Sequence, residues 1–212
     1  MKYEARSTNI DKHPQKYLDD LNKVLSTLDK GKLIKFIEKI QALIGEDKTL
    51  FICGNGGSAA TSSHMACDLG KTILGKNPRE NSKRLKTICL NDCVPMMTAW
   101  GNDEGYEHIF SEQLRNLGQA GDMLLIITGS GNSPNILEAI KIAKEMEIET
   151  FGLLGFQGGK AKGLLDDYLL VKSENYGIVE DIHGIINHLI TDYLKNQSKE
   201  EKYGPAKKEE SP

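Results

Sequence analysis

Five short apolar runs, none with a polar residue at every second position, recur through the middle of the sequence. They span residues 50–53, 87–90, 123–127, 150–154 and 168–171. Continuous apolar character is typical of strands that are covered on both faces of a sheet. Helical patterns separate most of the runs. This alternation predicts an α/β fold with a doubly wound, mostly parallel five-stranded sheet flanked by helices.

Helical patterns also precede the first of these runs. Between residues 13 and 44, leucine, isoleucine, valine and phenylalanine recur at steps of three and four, with Gly31 between two such patterns. We expect residues 1–45 to form an N-terminal helical extension that mediates oligomerisation, and residues 46–195 to form the α/β domain. Residues 196–212 have almost no apolar content, which predicts a disordered tail.

Composition limits the classes of partner. The net charge of −3 gives no basic excess for nucleic acid, and the 39% hydrophobic share suits a globular protein. No apolar run is long enough to span a bilayer, and the N-terminus lacks the apolar segment of a signal peptide. We therefore expect a cytoplasmic protein without nucleic-acid or membrane partners. The four cysteines form no CxxC pair, and Cys53 and Cys89 lie in apolar runs, so we expect buried, reduced thiols.

Glycine-rich loops follow the first and third apolar runs. The first reads Gly-Asn-Gly-Gly-Ser over residues 54–58, and the second reads Thr-Gly-Ser-Gly-Asn-Ser-Pro over residues 128–134. A strand, a glycine-rich turn and a helix N-terminus together favour anion binding through backbone N–H groups. Neither loop contains lysine or arginine. Hydroxyls and amides without a cation suit the single phosphate of a sugar phosphate better than a triphosphate.

Histidines and carboxylates recur on two predicted helices. His64 and Asp68 are four residues apart, so they share one helix face and could bind a divalent metal. The last helix carries Glu180, His183, His188 and Asp192. Spacing alone favours Glu180 with His183, or His188 with Asp192. Eight helical residues separate Glu180 from His188, which is about 12 Å along the axis.

Four segments resemble the bacterial sedoheptulose 7-phosphate isomerases, also called phosphoheptose isomerases, which have the sugar isomerase (SIS) fold. They are FICGNGGSAATSSHMACDLG, LNDCVPMMTAWGNDEGYEHIFSEQL, GDMLLIITGSGNSPNILEAIKIAKE and VEDIHGIINHLITDYL, in the family's order and spacing. The resemblance covers roughly residues 18–194. It implies a substrate site lined by Asn55, Gly56, Ser58, Asp92, Asn102, Asp103, Thr128, Gly129, Ser130 and Ser133. The family usually has a hydroxyl residue where this chain has Gly129.

The same resemblance implies one zinc ion per subunit, held by His64, Asp68, Glu180 and His188. Two of these positions depart from the family, because Asp68 replaces a glutamate and Glu180 replaces a glutamine. The matching glutamate is the family's proposed base. We therefore expect Asp68 to take the carbon proton, with Glu180 as the runner-up, and His188 to move protons between oxygens.

The activity implied by the resemblance is aldose–ketose isomerisation. Sedoheptulose 7-phosphate would be converted through an enediol to D-glycero-D-manno-heptose 7-phosphate, in heptose biosynthesis, by a homo-oligomer, expected to be a tetramer. Three alternatives stay open: a non-catalytic sugar-phosphate-binding SIS protein, a protein that binds a replication initiator, and an isomerase of another sugar phosphate. Gly177, where the family usually has aspartate, and Thr72, where it usually has arginine, leave the substrate undecided.

Overall fold

A computed structural model describes residues 10–76 and 82–203 of the 212-residue chain. In this part of the chain, five parallel strands form one sheet in the order β2-β1-β3-β4-β5. The strands are β1 (Thr49–Gly54), β2 (Lys86–Cys89), β3 (Met123–Thr128), β4 (Glu149–Gly155) and β5 (Asp167–Val171). The predicted doubly wound parallel sheet is confirmed.

Seven α-helices accompany the sheet within the described residues. They are α1 (His13–Leu25), α2 (Lys30–Leu43), α3 (Gly57–Gly70), α4 (Val94–Asp103), α5 (Ser111–Leu117), α6 (Pro134–Glu145) and α7 (Tyr176–Tyr203). Three short 3₁₀ turns span Thr72–Leu74, Tyr106–His108 and Ala161–Gly163. Pro134 opens α6, because its fixed φ suits the first turn of a helix.

Each face of the sheet carries its own hydrophobic core. Residues of β1 alternate between them: Leu50 and Ile52 pack with α2, α3 and α7, whereas Phe51 and Cys53 pack with α5 and α6. This alternation follows from the two-residue period of a strand. Both faces of the central strands are therefore buried, which explains their continuous apolar sequences.

Three local expectations need correction. The edge strand β2 is not covered on both faces, and Lys86 and Ile88 are exposed. Gly31 does not separate the first two helices. It lies inside α2, which begins where the Asp29 side chain accepts the Lys32 N–H (3.0 Å). The last helix continues to Tyr203, beyond the predicted domain end at residue 195, so residues 196–203 are helical, and residues 204–212 of the predicted tail lie outside the described part.

The cysteines match the expectation in part. All four are free thiols, and Cys53 and Cys89 are buried, but Cys67 and Cys93 are exposed. Burial raises the pKa of Cys53 well above its ordinary value. No helix in the described residues combines the length and apolarity that crossing a membrane requires.

Strand order places the candidate site. β1 pairs with β2 on one side and with β3 on the other, so the direction of winding reverses between β1 and β3. Ligands of doubly wound sheets bind at the carboxyl ends of the strands at such a reversal. Both glycine-rich loops leave the sheet there, because one follows β1 and the other follows β3.

Candidate active site

The first loop, residues 54–58, is held by a side chain from the neighbouring strand end. Asn91, just after β2, accepts from the Gly54 N–H (3.2 Å) and donates to the Gly54 carbonyl (2.9 Å). Gly56 then turns the chain with φ of 57°, a value that favours glycine. Ser58, in the first turn of α3, is 5% exposed. The loop is thus rigid, and α3 starts directly from it.

The amides of Asn55 and Asn135 join the two loops. Each side chain donates from its Nδ2 to the Oδ1 of the other, and both hydrogen bonds are 2.9 Å long. Asn135 lies in the first turn of α6 and is 1% exposed. The Tyr106 hydroxyl lies 3.4 Å from the Asn55 Oδ1. This reciprocal pair fixes the start of α6 against the first loop.

The second loop, residues 128–133, is held by its own hydroxyls and by the loop after β4. Thr128 Oγ1 accepts from the Gly131 N–H (3.2 Å), and Ser130 Oγ accepts from the Asn132 N–H (3.3 Å). The Asn132 side chain in turn accepts the Lys160 N–H (3.0 Å). Ser133 precedes α6, and its hydroxyl does not cap that helix. Backbone amides and hydroxyls therefore lie close together at the carboxyl end of β3, in a loop that contains no lysine or arginine.

Helix α7 covers a glycine in each loop. A Cβ on Gly57 would lie 2.5 Å from both carboxylate oxygens of Glu180, and a Cβ on Gly129 would lie 2.9 Å from the Tyr176 ring. At Gly129 the Tyr176 ring fills the space that a side chain would occupy, whereas at Gly57 the close atoms belong to the flexible end of the Glu180 side chain, so α7 lies tightly against both glycines. Tyr176 and Glu180 are four residues apart and share one helix face.

Three of the four predicted metal ligands meet between α3 and α7. Ligand atoms of His64, Asp68 and His188 all lie within 4.8 Å of one another. His64 Nε2 is 3.3 Å from Asp68 Oδ2, and the rings of His64 and His188 meet edge to face with centroids 5.0 Å apart. Asp68 is buried, whereas both histidines are exposed. The Asn187 amide donates to Asp68 Oδ2 (2.9 Å) and orients the carboxylate.

This donor set fits a divalent metal. Two imidazole nitrogens and one carboxylate form a common three-ligand set for a catalytic metal, which leaves positions open for substrate. Glu180 is outside the group, because its carboxylate lies against Gly57, nearer the start of α7. The separation of about 12 Å along the helix between Glu180 and His188 accounts for this.

His183 lies on α7 between Glu180 and His188 and is fully buried. Neither ring nitrogen has a hydrogen-bond partner of normal geometry among the described residues. Burial lowers the pKa of His183 to about 4, and the smaller, opposite effect of the Leu154 backbone does not offset this. The ring is therefore neutral at neutral pH and belongs to the packed side of α7.

Three further predicted site residues lie outside these clusters. Asp92, after β2, is exposed and accepts a hydrogen bond from the Ser63 hydroxyl, next to His64 on α3. Asn102 and Asp103, at the end of α4, are exposed and bond to each other, with the Asn102 amide 2.7 Å from the Asp103 carboxylate. The Ser63 hydrogen bond connects Asp92 to α3.

Sequence reasoning missed Asn187, Asn135 and Tyr176. Asn187 interrupts the buried positions Ile186 and Ile190 of α7, and a polar residue at such a position needs a partner. That signal was present in the sequence, but it does not identify Asp68 as the partner.

Comparison with known proteins agrees with this geometry. The family model described as "SIS domain" matches residues 16–155. The phosphoheptose isomerase of Clostridium acetobutylicum is 37% identical over 178 residues, covering 79% of this chain and 88% of the relative. That of Helicobacter pylori is 39% identical over 156 residues, covering 74% and 78%. The chain belongs to the phosphoheptose isomerase family of SIS-domain proteins.

Solved structures support the family assignment. The phosphoheptose isomerase of Neisseria gonorrhoeae superimposes with a TM-score of 0.79 at 28% identity, covering 89% of this chain and 100% of that chain. A phosphoheptose isomerase of Francisella tularensis gives the same TM-score at 27% identity. The resemblance drawn from the loops and helices is confirmed, and so is the SIS fold.

Proposed function

We propose that this chain is an aldose–ketose isomerase that converts sedoheptulose 7-phosphate to D-glycero-D-manno-heptose 7-phosphate. The observation that carries the proposal is that the two glycine-rich loops, which contain no lysine or arginine, lie beside the His64–Asp68–His188 cluster. Helix α7 contributes side chains to the loops and to the cluster. A protein that only binds sugar phosphates has no need for a carboxylate held by both an amide and a histidine next to the sugar site.

The phosphate of the substrate would bind between the two loops. Ser58 and the amides of residues 56–58 face it from the start of α3, and the residues of the second loop face it from β3 and α6. The N-termini of both helices favour its negative charge. The side chains expected to contact the phosphate or sugar are Asn55, Ser58, Asp92, Thr128, Ser130 and Ser133, with backbone contacts from Gly56 and Gly129.

The reactive end of the sugar would lie at the cluster between α3 and α7. Asp68 is the proposed base: His64 and Asn187 both contact its Oδ2, and Oδ1 would take the C1 proton and return it to C2. His188 would move the hydroxyl proton between O1 and O2 of the enediol. Glu180 is the alternative base. Its carboxylate lies against Gly57 in the first loop, so it faces the proposed sugar site from a different position than Asp68 does.

We propose that His64, Asp68 and His188 hold a zinc ion, while the carboxylate of Glu180, the fourth ligand implied by the resemblance, stays against Gly57. When bound, zinc would supply a Lewis acid for the substrate carbonyl. The donor set of nitrogen and oxygen atoms suits zinc, and Asn187 fixes the orientation of one ligand.

We also propose a cytoplasmic homo-oligomer, a tetramer, with residues 1–45 in the interface. Every described residue of α1 is at least partly exposed, and apolar side chains such as Leu18 and Ile34 are more than half exposed. Apolar surface on two successive helices favours contact with another subunit.

Isotope transfer tests the reaction itself. The metal-loaded protein is incubated in D₂O with sedoheptulose 7-phosphate and, separately, with other ketose phosphates, and products are analysed by NMR and mass spectrometry. Proton transfer through Asp68 predicts deuterium at C2 of the aldose and loss of this activity in Asp68→Asn. If no ketose phosphate is converted, the chain is a binding protein. Faster conversion of a different ketose phosphate would reassign the substrate.

A further inference from the structure

Two aromatic side chains lie against the second loop at Gly129. The ring of Tyr176 and the ring of Phe156 pack edge to face, with centroids 4.6 Å apart and an interplanar angle of 67°. A Cβ on Gly129 would lie 2.9 Å from Tyr176 Cε1 and 3.3 Å from Phe156 Cε2. The aromatic pair thus occupies the space that a side chain at position 129 would fill, beside Thr128 and Ser130.

Both aromatic residues are held firmly. Tyr176 is the first residue of α7, where the Asn175 side chain accepts the Gly177 N–H (2.9 Å) and caps the helix. A Cβ on Gly177 would lie 2.8 Å from the Tyr17 hydroxyl, so α1 closes on this end of α7. Phe156 has φ of 51°, in the left-handed region that a bulky residue rarely adopts. Such outliers persist where packing enforces them, often at ligand sites.

The Tyr176 ring nevertheless faces solvent. Tyr176 is 57% exposed although it packs on a buried loop, so one face of its ring is available to a ligand. Gly129 itself is buried beneath it. An exposed aromatic face beside a phosphate-binding loop offers apolar contact to carbon atoms, which inorganic phosphate does not have.

We propose that Tyr176, supported by Phe156, is a specificity-determining residue that contacts the phosphate-bearing end of the sugar chain. Its ring packs against the C–H groups next to the phosphate and so favours sugar phosphates over inorganic phosphate. The contact is made by the ring rather than the hydroxyl. This inference rests on the proposed binding of a sugar phosphate at the two loops.

Binding measurements separate this role from the isomerase activity. Isothermal titration of the metal-loaded protein uses sedoheptulose 7-phosphate and inorganic phosphate as probes. Tyr176→Ala should raise the Kd of the sugar phosphate about 3- to 10-fold, which is roughly 0.7–1.4 kcal/mol, and leave the Kd of inorganic phosphate unchanged. Tyr176→Phe should match the unaltered protein for both probes. Tyr193→Ala, a matched control at another exposed tyrosine of α7, should leave both unchanged.

A second pair of variants tests the contact with Gly129. Gly129→Ser should weaken sugar-phosphate binding because its Cβ displaces the Tyr176 ring, whereas adding Gly129→Ser to Tyr176→Ala should cost little more. An unchanged sugar-phosphate Kd in Tyr176→Ala would overturn the inference. An equal loss for both probes would also overturn it, since Tyr176 would then only support the loop. If the protein binds the sugar phosphate without converting it, the isomerase proposal is wrong. Comparing the Kd of the sugar phosphate with the Kd of inorganic phosphate in Tyr176→Ala would still test this inference. If the unaltered protein binds no sugar phosphate, both proposals fail.

Discussion

The carboxylate of Glu180 lies directly over Gly57, the first residue of α3. A Cβ at position 57 would come within 2.5 Å of both carboxylate oxygens. The contact joins the last helix to the loop after the first strand, across more than a hundred residues of sequence. It also places a negative charge at the positive end of α3, which the helix dipole favours.

Gly57→Ala should therefore impair activity more than folding. The Glu180 side chain can rotate away, so the free energy of unfolding should change by less than about 1 kcal/mol. The displaced carboxylate should lower kcat/KM by up to about 10-fold if Asp68 is the base, and by roughly 100-fold if Glu180 is the base. Gly184→Ala on α7, where a Cβ meets open space, is the control and should keep full activity. Equal activity of the two variants would show that the position of Glu180 does not matter.

Ser130→Ala tests the second loop. Loss of one hydroxyl donor to a charged phosphate should weaken substrate binding by about 1–3 kcal/mol. The effect should appear in KM and in the Kd for inorganic phosphate. Ser26→Ala is a suitable control, since that hydroxyl bonds the Lys23 carbonyl at the exposed end of α1. Unchanged kcat and KM in Ser130→Ala would argue against phosphate binding at this loop.

Metal analysis tests the cluster between α3 and α7. A chelator should abolish isomerase activity, and added Zn²⁺ should restore it. His64→Ala should lose metal and activity together, because removal of one ligand weakens such a site severely. His13→Ala, at an exposed histidine of α1, should retain both. Full activity of the chelated, metal-free protein would eliminate the zinc proposal.

Glu180→Gln distinguishes the two candidate bases. Metal content, measured by mass spectrometry, should stay the same, because Glu180 is outside the three-ligand group. If Asp68 is the base, kcat should fall by less than about 10-fold, whereas loss of a base removes roughly 10²–10⁴-fold. A fall of the larger size with metal retained would assign proton abstraction to Glu180.

The buried His183 makes the fold sensitive to acid. Unfolded histidine has a pKa of about 6.5, whereas burial lowers the pKa of His183 to about 4 in the folded chain. Between these values the unfolded chain binds a proton that the folded chain excludes. The free energy of unfolding should therefore fall as the pH drops from 6.5 to 4, by about 3 kcal/mol in all. Urea denaturation across this range should show a shallower decline for His183→Gln, and no such change for His13→Gln.

Light scattering tests the oligomer. At micromolar concentration the mass should be about four times the 23.5 kDa of one chain. Ile34→Glu, on the exposed face of α2, should lower that mass if residues 1–45 form the interface. A mass equal to one chain for the unaltered protein would contradict the proposal.

The fold could be predicted from the sequence because each strand and loop carries a local signal. Apolar runs covered on both faces define the central strands, and a glycine-rich turn before each helix marks the two loops. The prediction that β2 is buried on both faces was wrong. The exposure of β2 follows from its position at the edge of the sheet, and no residue of β2 indicates that position. The extension of α7 to Tyr203 was also missed. Polar helix-forming residues can lengthen an existing helix without a new nucleation step.

Contacts between distant elements could not be predicted from spacing. Asn187 bonds Asp68 across 119 residues of sequence, and Tyr17 bonds Asp181 across 164. Both depend on the rotation of α7 about its axis, which only the packed structure fixes. The hydrogen bond to Asp181 raises the pKa of Tyr17 to about 12, so this link between α1 and α7 stays intact through neutral pH.

The unbroken course of α7 couples the two ends of the site mechanically. Tyr176 and His188 are 12 residues apart, which is about 18 Å along the axis of one continuous helix. A rotation of α7 about its axis would shift three side chains in the same direction. These are the Tyr176 ring that lies over Gly129, the Glu180 carboxylate that lies over Gly57 and the His188 imidazole in the cluster. Occupation of the phosphate pocket would then set the alignment of the proton-transfer groups at the opposite end.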